Sequence, residues 1–202
     1  MAERFIIRKN RFLMKNTIGY YNCEYVRYGQ PGNPDFLNKL KNIYGNENIS
    51  VLKSSMKNAA VLLEEDIPDI IEENDLNNCA LICVPRSKAW FTAKQLMFKE
   101  AVRMAAVNMN IIDGTDYIIR TDDTYTTHFR NPIPNFDNDG DKPYPGITKE
   151  TCVIDSEKIY NKNIILIDDI YTNGVNIDED CIQALTDAGA KNIILYVIAY
   201  TR

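Results

Sequence analysis

Four consecutive apolar residues, Ile164-Ile165-Leu166-Ile167, closed by two carboxylates, Asp168 and Asp169, constrain this chain more than any other stretch. An unbroken apolar run of that length suits a strand buried on both faces, which belongs in a parallel sheet covered by helices. The polar turn Thr172-Asn173-Gly174 follows, and a helical pattern begins near Ile177. Strand, acid pair, glycine turn and helix in that order put polar groups at the carboxyl edge of the sheet, where open α/β folds bind ligands. Gly174 can take positive φ and let backbone approach a ligand closely. The free N–H groups of the turn and the incoming helix would then cradle an anion. An anion held there, with a diol-sized group beside two carboxylates, describes a sugar phosphate better than a bare phosphate.

Two other readings compete for the acid pair. A Walker B strand would use the acids on Mg²⁺, but it requires a G-x-x-x-x-G-K-[ST] loop, and the chain has none. A solvated loop after a core strand, with Asp169 capping the helix, would need no ligand at all. Downstream, Ile177, Cys181, Ala184, Leu185 and Ala188 mark one helix face, and Gly189 ends it. Asp178, Glu179 and Asp180 suit the positive end of that helix, although they weaken the same end as a phosphate site. Asn192 to Tyr200 is the last buried strand, so the unit reads as a parallel strand–helix–strand crossover.

A second apolar run, Cys79 to Val84, also ends in a polar turn, Pro85-Arg86-Ser87-Lys88. A helical stretch follows from about Trp90 to Asn110. Its stripe of Ala93, Leu96, Met97, Ala101, Met104 and Ala105 lies opposite Gln95, Lys99 and Arg103. Tyr117 to Arg120 reads as the next strand. From Thr121 to Glu150 the chain is irregular and rich in proline, the mark of a functional insertion or a disordered one.

The first third carries no motif. Phe5-Ile6-Ile7 and Phe12-Leu13-Met14 read as a hairpin or two short strands, Thr17 to Tyr28 as another strand, and Phe36 to Tyr44 as a short helix. Ile49 to Leu52 suggests a strand, and Ser55 a cap for a helix over Met56 to Leu63 that resumes after Pro68.

Composition sets the remaining bounds. The chain has 202 residues, 45% of them hydrophobic and 25% charged, with a net charge of −5. That is an ordinary globular balance, and nothing in it advertises nucleic acid. The basic start (Arg4, Arg8, Lys9, Arg11, Lys15) and the acidic stretch from Glu64 to Asp75 read as solvated faces. No run reaches membrane-span length, and Arg8, Lys9 and Arg11 interrupt anything resembling a secretory signal. Five cysteines at 23, 79, 83, 152 and 181, without a C-x-x-C pair, argue against a disulfide framework and a zinc site. Cys79 and Cys83 share one face of their strand as small hydrophobes. The expected compartment is the cytoplasm.

The stretch from Asn163 to Asn176 resembles the phosphoribosyl diphosphate (PRPP) signature of type I phosphoribosyltransferases, a hydrophobic strand followed by D-D-x-x-T-T-G-x-T. The resemblance implies that Asp168 and Asp169 hydrogen-bond the ribose hydroxyls and that Thr172, Asn173, Gly174, Val175 and Asn176 wrap the 5-phosphate. Asn173 and Asn176 depart from the usual Thr and Thr or Ser, though each keeps amide donors. The family places its diphosphate loop after the first core strand, which here assigns Arg86, Ser87 and Lys88. Its flexible hood would fall at about 121–150, making Arg120, His128 and Arg130 candidates for facing diphosphate or acceptor. His128 is the only histidine, and a lone histidine in a polar loop is more often solvated. The V-P-x-S-K turn, Gln95-Leu96 and a T-x-x-x-H-x-R segment are similar to the competence-F and amidophosphoribosyltransferase-like branch, without its cysteine-rich module. The implied fold is a three-layer, Rossmann-like α/β domain with a mostly parallel sheet over 78–202 and a small N-terminal element at 1–77. The implied function is transfer of phosphoribosyl from PRPP to a nucleobase or ammonia nitrogen. Mg²⁺ would be held through PRPP rather than by a protein cage, and a homodimer is common among such proteins. The same fold also serves as a non-catalytic PRPP or nucleotide sensor, which stands as the alternative.

Overall fold

The computed structural model describes residues 1–26, 31–125 and 146–201. Its first half contains β1 (Glu3–Ile7), β2 (Thr17–Tyr25), α1 (Asp35–Lys41), α2 (Ile49–Glu73), β3 (Cys79–Cys83) and α3 (Met97–Asn108). Then follow β4 (Ile112–Asp113), β5 (Ile118–Arg120), β6 (Cys152–Ile154), α4 (Ser156–Ile159), β7 (Asn163–Thr172), α5 (Ile177–Asp187) and β8 (Asn192–Thr201). The main sheet runs β1-β2-β8-β7-β3-β4. Only β1 is antiparallel, and β7 sits between β3 and β8 with Cys79 opposite Asn163 and Asn163 opposite Asn192. The architecture is α/β with a mostly parallel sheet. Residues 1–77 put two strands into that sheet and two helices against it.

Alternation builds the two cores. Ile165 and Ile167 of β7 meet Leu81 of β3, Tyr196 of β8 and the helices α1, α2 and α3 on one face. Ile164 and Leu166 meet Ile82, Leu195 and α5 on the other. Cys79 and Cys83 do share a face, in the first core, and the five cysteines are free thiols. Beyond the acid pair the order slips, because Ile170 belongs to the first core and Tyr171 to the second. The pairing with β8 keeps the same register from Asp168–Val197 to Ile170–Ala199, with no pair at Asp169. The strand therefore changes its facing at Asp168-Asp169 without slipping against β8.

Several local expectations are corrected. Ile49–Leu52 is the first turn of α2, not a strand. The Asn48 side chain accepts from the Ser50 N–H at 2.8 Å and caps the helix there, while Ser55 is buried inside it. Helix α2 also runs unbroken through Pro68, which faces solvent. Its buried face of Leu52, Ala59, Leu63, Ile67 and Ile70 supplies the packing that offsets the missing N–H. Pro68→Ala is therefore expected to raise the stability of the chain, by up to about 3 kcal/mol, read as a higher urea midpoint.

Phe12–Met14 is a turn, because the Asn10 side chain accepts from the N–H groups of Phe12 and Leu13 and bends the chain. Helix α1 stops at Lys41, where Asn42 takes φ 30°. Helix α3 begins only at Met97, since residues 92–95 close a turn on the Gln95 side chain. The Tyr117–Arg120 run shortens to β5 and pairs with β6 in a separate two-stranded sheet. The next main-sheet strand is β4, which Asp113 ends by accepting from Thr115. In the acidic stretch Asp66 is not solvated. It is 2% exposed and accepts from Asn22 and Tyr196, both at 2.8 Å, joining α2 to the sheet. Among the described residues no helix is long and apolar enough to cross a membrane.

Candidate functional site

At the carboxyl edge of β3 and β7 lies a cavity of about 720 Å³. Asp168 and Asp169 both line it, although neighbours in a regular strand would face opposite ways. The slip in alternation described above allows this. The Asp169 N–H donates to Asp168 Oδ1 at 2.8 Å, which fixes the first carboxyl against the strand. Pro85 to Lys88 form the facing wall, so the cavity brings together the acid pair and the basic turn singled out in the sequence.

Arg86 does more than face a ligand. Its guanidinium donates to the carbonyls of Gln95 at 2.5 Å and Lys41 at 2.9 Å and stacks 4.3 Å from the Phe91 ring centroid. It thus ties the turn to α1 and to the segment before α3. Burial pulls its pKa down, opposed by the nearby Asp169, Cys83 and Asp168. The turn is clamped from its other side as well. Arg120 Nε donates to the Arg86 carbonyl at 2.7 Å, Thr124 donates twice to the Ser87 carbonyl, and the Ala89 N–H donates to Asp123 at 2.8 Å.

Arg120 is 6% exposed, and its Nη1 donates to the Gly146 carbonyl at 2.7 Å. Its Nη2 has no hydrogen-bond partner among the described residues. Arg120 also lines the cavity. Truncating it removes the donor to the Arg86 carbonyl and leaves the Gly146 carbonyl with the Thr151 hydroxyl alone. Arg120→Ala is expected to cost roughly 2–4 kcal/mol in urea unfolding and to loosen the 85–88 turn, seen as faster amide exchange there. His128 and Arg130 lie outside the described residues, as does most of the expected hood.

The other half of the signature sits differently. Gly174 takes φ 84°, as its place in the turn requires, and nothing lies within 4 Å of where a Cβ would stand. Thr172 Oγ1 donates to Thr201 Oγ1 at 3.0 Å, and the Val175 N–H closes the turn on the Thr172 carbonyl. Asn176 takes φ 67°, donates to the Gly174 carbonyl and accepts from Asn10 Nδ2 at 3.1 Å. None of Thr172 to Asn176 lines the large cavity, and Asn173 lines a second, smaller one.

The three acids that open α5 do not act together as partners of the helix end. Asp178 is 2% exposed and lies near Asp168, and its Oδ1 has no hydrogen-bond partner among the described residues. Burial raises both carboxyls well above the ordinary carboxylate range, with the charge of Asp169 adding to the rise at Asp168 and that of Asp168 to the rise at Asp178. Glu179 accepts from the Tyr171 hydroxyl at 2.9 Å, and Asp180 accepts from the Ile147 N–H at 2.7 Å. Helical spacing carried a signal for Asp178, since positions 178, 182 and 185 share one face and Ile182 and Leu185 are core residues. Lys41 and Lys99 also line the cavity, from α1 and α3. Lys41 gave no signal, because only the packing of α1 beside α3 carries it to the sheet edge. Chemically, two carboxylates able to accept from a diol thus face a wall bearing several cations. Comparison with models of known protein families and with curated proteins returned no match for this chain.

Proposed function

We propose that the cavity binds PRPP and that the chain transfers its phosphoribosyl group to a nitrogen nucleophile, a nucleobase or ammonia, with release of diphosphate. The observation that supports this most is the convergence of Asp168 and Asp169 with the Pro85–Lys88 turn on one cavity at the carboxyl edge of a parallel sheet. On this reading the fold is the Rossmann-like type I phosphoribosyltransferase domain, with Asp168 and Asp169 accepting from the ribose hydroxyls. The Gly174 turn, open to solvent, would receive the 5-phosphate. Lys88 and the unpartnered Nη2 of Arg120 would meet the diphosphate.

The C1–oxygen bond breaks with its electron pair leaving on diphosphate. The nitrogen lone pair forms the new bond from the opposite face, and the nitrogen then loses a proton to solvent. Positioning and charge stabilisation of an oxocarbenium-like transition state would carry the catalysis. Among the described residues no cluster of three potential ligands is placed to hold a metal. Mg²⁺ would arrive on PRPP oxygens, where it would neutralise the leaving group.

A second reading, a PRPP- or nucleotide-sensing protein of the same fold, is favoured by one observation. The Arg86 guanidinium and the Asn176 amide are already bonded to protein groups. Calorimetric titration with PRPP in Mg²⁺, followed by diphosphate release with candidate acceptors, tests both readings. Binding with release marks the transferase and binding without release the sensor. No binding refutes both.

A further inference from the structure

A second cavity, of about 280 Å³, lies beyond the Gly174 turn, under the loop that follows β1. Its volume is that of about nine waters at roughly 30 Å³ each, enough for a small metabolite. Tyr171, Tyr200, Glu179, Arg8, Lys9 and Asn173 line it. The two tyrosine rings stack with centroids 5.4 Å apart, giving it an aromatic wall.

Glu179 is the informative group. It is 2% exposed, and its Oε1 accepts from the Tyr171 hydroxyl, but Oε2 has no hydrogen-bond partner among the described residues. A buried carboxylate oxygen left without a donor is costly. A ligand N–H, and an ammonium group above all, would satisfy it, with the tyrosine faces adding cation–π attraction. The same lining also offers the opposite charge. Arg8 and Lys9 are exposed, and neither side chain forms an ion pair with a described residue. The loop that carries them is held in place, because Asn10 donates to Asn176 at 3.1 Å and the Met14 N–H to Gln183 at 3.0 Å.

One anionic and two cationic protein groups complement a ligand with one cation and two anions. We propose that this cavity binds a small dicarboxylic α-amino acid, its ammonium group donating to Glu179 and its two carboxylates pairing with Arg8 and Lys9. The site shares no lining residue with the cavity at the acid pair, and it meets the turn proposed for the 5-phosphate only at Asn173.

The test is calorimetric titration of the full chain with L-glutamate and L-aspartate, and with glutarate, which lacks the ammonium group. Saturable binding of an amino acid is expected, with glutarate weaker by at least about tenfold. Arg8→Ala/Lys9→Ala changes only exposed residues and should weaken the amino acid by a similar factor. Glu179→Gln, which can keep the Tyr171 bond through Oε1, should do the same, whereas Asp168→Asn/Asp169→Asn should bind as the wild type does. Absence of saturable binding at millimolar probe, equal affinity for glutarate, or an Arg8→Ala/Lys9→Ala protein that binds undiminished would each overturn the proposal.

Discussion

Asp168→Asn/Asp169→Asn is expected to abolish PRPP binding in the presence of Mg²⁺. Asp169 would accept a charge-assisted hydrogen bond from one ribose hydroxyl, contributing roughly 1.5–3 kcal/mol, and Asp168, whose carboxyl is pushed up to about 8, an ordinary one of about 1 kcal/mol from the other. Losing both removes about 2.5–4 kcal/mol, a loss of roughly two to three orders of magnitude in affinity. The substitution separates a lost site from a lost fold. Both positions are only half-buried, and burial with the charge of Asp169 already pushes the Asp168 carboxyl up, so an amide at 168 relieves repulsion rather than creating it. The thermal midpoint should therefore hold or rise while binding disappears. If the double variant titrates like the wild type, ribose recognition does not lie at the acid pair.

The pH dependence of stability should carry the mark of the Asp168–Asp178 pair. A carboxyl whose folded pKa is raised contributes stability that is fully present below its unfolded value, near 3.9. That contribution is lost as pH rises through the folded value, which for Asp168 is about 8. The wild type should accordingly lose stability between about pH 4 and pH 8, as folding has to hold a proton that the unfolded chain releases. Asp178→Asn removes one of the two raised carboxyls, and with it a proton that folding must hold, while burial and Asp169 keep Asp168 raised. The variant should be more stable than the wild type near pH 8 by on the order of 2 kcal/mol, with the difference vanishing toward pH 4. Chemical denaturation at a series of pH values reads this directly. A constant offset at every pH would show that Asp178 acts through packing alone.

How much of this was legible beforehand depends on the range of the forces involved. Strands β3, β7 and β8, and the helix after the glycine turn, followed from apolar runs and helical spacing, because burial on both faces leaves no other use for such runs. The positive φ of Gly174 followed from the turn. The failures are local competitions that a pattern does not rank. At Asn48 a side-chain cap turns an apolar tetrad into a helix start, and at Asn10 two side-chain hydrogen bonds turn another apolar triplet into a bend. At Pro68 the packing of a long buried face overrides the breaker.

The residues themselves thus determined a parallel α/β core and an acid pair at its carboxyl edge, since hydrophobic period and strand polarity are local properties. Only the tertiary structure decided what surrounds that edge. It carried Lys41 in from the first third, turned Arg86 onto the carbonyls of Gln95 and Lys41, and set Asp178 against Asp168. It also drew Asn10 onto Asn176, closing a second cavity beside the turn. Each of these joins groups far apart in the chain or on different elements. Their partners are chosen by how helices pack on a twisted sheet, and a one-dimensional pattern does not record that.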